Sequence, residues 1–201
     1  MSPVLIEHNA PWIGIPETFP YLDWATANEW ADALVAELVV TFGEPEAGES
    51  AALREYLVTV AESREQRGAD RGYIWADGWS TDSYLADVTM ISAALSGQLT
   101  LDQLAGSEDP LAVEAPVIEP FVTASGLEGV VSARYLNAPG ADGLIARADY
   151  VFPIPSGHLR LYTAQFDLVR FEKVLPKLAD LATTIAIADA PVAADDSPIG
   201  T

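Results

Sequence analysis

The sequence predicts an α+β domain, a mainly antiparallel sheet of about six strands covered by helices, and three observations lead there. Apolar residues recur every three or four positions in two early segments and one late one, the spacing of amphipathic helices. Between 115 and 166, β-rich runs alternate with short turns bearing glycine or proline, the pattern of antiparallel neighbours. Half of the 201 residues are apolar, enough for one core, so residues 1–188 read as a single domain.

The elements follow in order. Residues 1–25, with Pro11, Pro16 and Pro20, form an extended lead-in whose Trp12, Phe19 and Trp24 pack across the domain. A capping box, Thr26 and Glu29, opens a helix over 26–42 with Trp30, Leu34, Leu38 and Phe42 as its apolar stripe. The run "GEPEAGES" ends it. Ser50 caps a second helix with Leu53, Leu57, Val60 and Ala61 inward, and Arg54, Glu62, Arg64 and Glu65 on its wet face. "GYIWADG" and "SYLADVTMISAAL" are strands joined through "DGWSTD", and "TLDQLA" at 100–105 is at most a short helix with a Thr-x-x-Gln box.

Four β-rich runs fill the second half: "APVIEPFVTA", "GLEGVVSARYLNA", "GLIARADYVFPIP" and "HLRLYTAQF". Segments 143–153 and 157–166 pair as a hairpin turning at Ser156-Gly157. Asp167 then caps a closing helix through "LVRFEKVLPKLADLATTIAIA", with Phe171, Leu175, Leu178 and Leu181 inward and Pro176 inside it. The segment 189–201 lacks an apolar pattern and is expected to be disordered.

Charge narrows the range of partners. The formal net charge is −20, from 30 acids against 10 bases, and neither 1–53 nor 72–133 contains a lysine or arginine. Nucleic-acid and anionic-membrane binding both need cationic neutralisation, so both are set aside. A basic protein partner would instead be attracted and steered, while solubility or adaptation to salt explains the same surface without one. No cysteine is present, which removes disulfides, thiolate metal sites and cysteine nucleophiles. The start "MSPVLIEHNAPWIG" shows no signal-peptide pattern and no apolar run long enough for an anchor, so a cytoplasmic address is the default.

The late hairpin "ADYVFPIPSGHLRLYTAQF", closed by a helix reading "LPKLADLATTI", resembles the PsbP-like fold. It is similar also to proteins of high-GC bacteria that end in the same hairpin and helix. The PsbP-like group includes the extrinsic subunit of photosystem II, a Ran-binding import factor and bacterial lipoproteins. The resemblance spans residues 72–186, is architectural and carries over no site residue. It implies a protein that binds or assembles with other proteins. The lead-in and the absence of a lipobox cysteine depart from the lipoprotein branch.

Few residues suggest chemistry. Ser156-Gly157-His158 sits between two strands and lacks the Gly-x-Ser-x-Gly of a nucleophile elbow, so it reads as a turn. His8, the other histidine, reads as a surface or packing residue, and no metal or cofactor is expected. Asp77, Asp82 and Asp87 crowd one region without the ladder of a calcium loop and read as solvated carboxylates. Trp79, between Asp77 and Asp82, is the candidate anchor for a partner, with core packing as its other reading.

The function these features favour is a non-catalytic protein-binding or assembly module with an acidic surface. An immunity-type protein neutralising a basic partner is one form of it. A small-ligand carrier or hydrolase, with a pocket between sheet and helices, stays open as the alternative.

Overall fold

In a computed structural model, residues 4–8, 11–79, 83–137 and 143–188 are described. The expected disordered tail and Asp82 lie outside them. The lead-in supplies two short strands, β1 (Val4–Ile6) and β2 (Trp12–Ile15). The helix α1 (Ala27–Phe42) starts at Thr26, whose Oγ1 accepts from the Glu29 amide at 3.2 Å. The return half of the expected box is displaced by one residue: the Glu29 carboxylate accepts from the Ala25 amide at 2.6 Å. Trp30, Leu34 and Leu38 are buried as the spacing requires, but Phe42, on the last turn, is 45% exposed.

After α1 comes α2 (Glu49–Glu62), which begins behind Gly48 rather than at Ser50. At Gly48 φ is 92°, a left-handed conformation that glycine adopts without steric penalty, and this position makes no side-chain cap bond. Leu53, Leu57, Val60 and Ala61 are all buried. Arg64 corrects the expected wet face. It is 9% exposed, because its guanidinium donates to the carbonyl oxygens of Ala69, Asp70 and Glu17 at 2.5, 2.8 and 2.5 Å.

The main sheet has seven strands where about six were expected. To β2 it adds β3 (Arg71–Trp75), β4 (Tyr84–Ser92), β5 (Val117–Val122), β6 (Glu128–Asn137), β7 (Leu144–Ile154) and β8 (Gly157–Gln165). Its order is β2-β3-β4-β8-β7-β6-β5, with every pair antiparallel. The extra strand is β2, from the lead-in. The β7–β8 hairpin forms as predicted, but it pairs Ile154 with Gly157 and turns at Pro155 and Ser156, one residue before the expected Ser156-Gly157. Gly157 is required there: φ is 141°, and a Cβ would fall 2.1 Å from the Ile91 carbonyl oxygen on β4. Pro120 lies in β5, at the sheet's edge, where its missing amide breaks no ladder.

Three further helices complete the fold: α3 (Ala93–Ser96), α4 (Leu101–Leu104) with the Thr100/Gln103 box in place, and α5 (Leu168–Thr183) capped by Asp167. Pro176 removes one backbone bond, but α5 runs on through it. The closing helix stops short of its expected end. Ile185–Ile187 instead form β9, which pairs with β1 as a second small sheet.

Period-two alternation sorts the side chains onto two faces of the main sheet. One face packs on α5: Ala86, Val88, Ala148, Tyr150, Phe152, Leu159 and Leu161 meet Phe171, Val174, Leu178 and Leu181. On the other face, α1 and α2 close over Ile15, Ile74 and Ala76. At the far end of that face, Leu104 and Ala105 close over Val151. Between these two apolar caps the alternating positions are polar.

Candidate functional site

The residues singled out from sequence do not gather into one site. Trp79 is half-buried against the core beneath α1 and α2. Its indole Nε1 is buried without a hydrogen-bond partner. Asp77 is exposed and serves other neighbours: it accepts from Trp75 Nε1 at 2.9 Å and stands 3.9 Å from Lys177 Nζ, which itself caps the Trp75 ring at 3.9 Å. Trp75 belongs to the α5 side of the sheet and Trp79 to the α1–α2 side. Asp87, expected to be solvated, is 4% exposed. Arg67 Nε and Nη2 donate to it at 2.9 and 3.2 Å. Burial is the largest influence on this carboxyl and raises its pKa, while Arg67 pulls the other way.

The histidines have separate settings. His8 is exposed and meets Tyr73 edge-on at 5.2 Å. His158 Nδ1 lies 2.7 Å from Ser96 Oγ, so its serine partner is on α3 and not in its own turn. Ser96 Oγ is also 3.0 Å from the Ser92 carbonyl, so its hydroxyl has a second partner besides the imidazole. Ser96 is wholly buried. A nucleophile needs a hydroxyl open to substrate, which this burial does not allow. Among the described residues no group of three or more His, Cys, Asp or Glu is arranged to hold a metal ion.

The polar band between the apolar caps was missed by sequence reasoning. At its centre Asp149, on β7, is fully buried. It accepts from Arg134 Nη1 at 2.6 Å and from Arg147 Nη2 and Nε at 2.8 and 2.9 Å. Arg134 is itself 6% exposed, and donates further to the Ala105 carbonyl at 2.9 Å and to Asp109 at 3.1 Å. Gly106 is what lets this guanidinium in, since a Cβ there would stand 2.4 Å from Arg134 Cζ. Arg147 lies over the Tyr162 ring, with Cζ 4.4 Å from its centroid. Burial lowers the Arg147 pKa, but the bonds and charge of Asp149 outweigh it and leave that pKa raised. Arg160 is placed differently. Its Nε is 3.8 Å from Asp149, beyond hydrogen-bond reach, and burial pulls its pKa below the ordinary value.

A signal for this band was present in the strands. Arg134, Arg147-x-Asp149, Arg160-x-Tyr162 and Asp87-x-Thr89 all stand at alternate positions. Such alternation reads as a solvent face. What makes it interior is the segment after α4, whose Ala105 carbonyl takes bonds from both Ser132 and Arg134.

Fold and geometry together define an α+β protein in which Arg64 and Arg134 are buried and Arg147 and Arg160 are partly so. No protein-family model matches the chain, and no curated protein does. Among the described residues, no helix is long and apolar enough to cross a membrane.

Proposed function

We propose that this chain is a non-catalytic binding or assembly module that meets a basic protein through its acidic exterior. The observation that carries the reading is the disposition of the cations. Arg54, Arg67, Arg71, Arg134, Arg147, Arg160 and Lys177 each stand within 4 Å of a carboxylate of the same chain. Arg64 is buried on backbone carbonyls. With only 10 bases in all, most of the 30 acids have no cation to answer them, and the excess lies outside. Exposed Glu37 on α1 and Glu55 on α2 are examples. Such a field steers a positively charged partner and repels polyanions. The resemblance of the hairpin-and-helix ending to PsbP-like proteins supports an assembly role at the level of fold.

The test starts from affinity purification of the protein with its native partner at low salt, followed by surface plasmon resonance of the pair. The on-rate is expected to fall about tenfold or more on going to physiological salt, where the Debye length is about 8 Å. Neutralising Asp77 and Asp82, or Glu37 and Glu55, locates the contact: the pair that lies at it lowers the on-rate, with the off-rate little changed. An on-rate indifferent to salt and to both pairs would show that the acidity serves no partner.

A further inference from the structure

The geometry points to a second binding site, in which the Arg160 guanidinium holds the carboxylate of a small organic acid in the cleft between β8 and the segment after α4. The cleft has a volume of about 300 Å³. That lies at the lower end of the range for small-ligand sites, about 300–1,000 Å³. Arg160 and Arg134 line it together with Gln103, while Leu99, Leu104 and Pro110 offer apolar wall.

Three observations single out Arg160. First, both oxygens of Asp149 already accept from Arg134 and Arg147, and Arg160 Nε stands 3.8 Å away, out of hydrogen-bond reach. Second, Arg160 Nε is buried and makes no hydrogen bond. A buried donor without an acceptor is unfavourable, and a guanidinium matches a carboxylate through two parallel bonds. Third, no carboxylate on the cleft bonds Arg160. Arg134, Arg147 and Arg160 face Asp149 and Asp109, the latter committed to Arg134 and to the Leu111 amide. Glu108, also on the cleft, is exposed and accepts from Gln103 Nε2 at 3.0 Å, which leaves its charge to water. A ligand carboxylate would give Arg160 the acceptor it lacks, and the apolar wall suits one carrying a short hydrocarbon part. The site is interior to the acidic exterior and independent of its role.

The experiment follows the arginine Nε–Hε resonances of the full chain by ¹⁵N NMR, at constant ionic strength. Sodium butyrate is titrated in one arm and inorganic phosphate in the other. Butyrate is expected to shift the Arg160 Nε–Hε signal saturably, with half-saturation at about 1–10 mM. It should shift Arg147, which is already bonded to Asp149, far less. Arg160→Gln should weaken binding tenfold or more, and Arg160→Lys, which keeps the charge without the fork, by a smaller factor. The signal of the unmodified protein decides the matter even if a variant folds poorly. Absence of a saturable shift at Arg160 would overturn the proposal. So would saturation by phosphate and not butyrate, or equal butyrate affinity in Arg160→Gln.

Discussion

Replacing Asp149 with asparagine alters one functional group at a point where the structure has no slack. The carboxylate is fully buried and holds Arg134 and Arg147 through bonds of 2.6 to 3.1 Å. An asparagine keeps one oxygen acceptor, but turns N–H donors toward a guanidinium that can only donate. Arg134, whose side chain is 4% exposed, then carries a charge with no water to take it, and only Asp109 is left to answer it. Arg147, at 20%, recovers part of its loss through hydration. Removing one member of a buried ion pair costs about 3–5 kcal/mol, and the Arg134 half places this variant in that range. A domain of this size has a total stability of about 5–15 kcal/mol. In urea, with a slope of about 2 kcal/mol per molar, the midpoint should fall by about 1.5–2.5 M at unchanged slope. Circular dichroism across the titration reads this directly. A fall below about 0.5 M would refute the reasoning, since it would mean that water or Asp109 already compensates the arginines.

Two further expectations test the fold and its electrostatics. Gly157→Ala would place a methyl 2.1 Å from the Ile91 oxygen and 2.6 Å from the Ala93 amide nitrogen. It should cost at least about 3 kcal/mol by parting β8 from β4, and an unchanged thermal midpoint would contradict the hairpin's placement. The Asp87 carboxyl, followed by ¹³C NMR against pH, should titrate above its ordinary 3.8 because burial outweighs Arg67. Its native pKa being the higher one, its contribution to stability is fully present below 3.8 and is lost as pH rises through the native midpoint. The stability difference between the unmodified protein and Asp87→Asn should therefore shrink with rising pH in that window. A midpoint at or below 3.8 would show that the Arg67 pair dominates.

Local spacing made much of the fold legible. The stripe Leu53, Leu57, Val60 and Ala61 and the Asp167 cap depend on neighbours within a few residues and stand where the sequence places them, and the β7–β8 turn falls within one residue of its expected place. Element ends that depend on distant partners did not. Ile185–Ile187 continue an apolar run that reads as helix, yet they leave α5 because β1, at the other end of the chain, supplies a strand to pair with. Trp12 joins the sheet because Trp75 stands opposite it in register.

The site divides in the same way. Sequence alone determines the acid excess, the absence of thiol chemistry and the turn character of Ser156-Gly157. Only the tertiary structure decides that Trp79 and Asp77 serve opposite faces of the sheet, and that Arg134 and Asp149 lie inside. A strand's alternation fixes which side chains share a face, because the backbone repeats every two residues. It cannot fix whether water or protein covers that face. Here the cover is a segment that begins 44 residues before Asp149, where the Ala105 carbonyl and the bare Cα of Gly106 receive the Arg134 guanidinium.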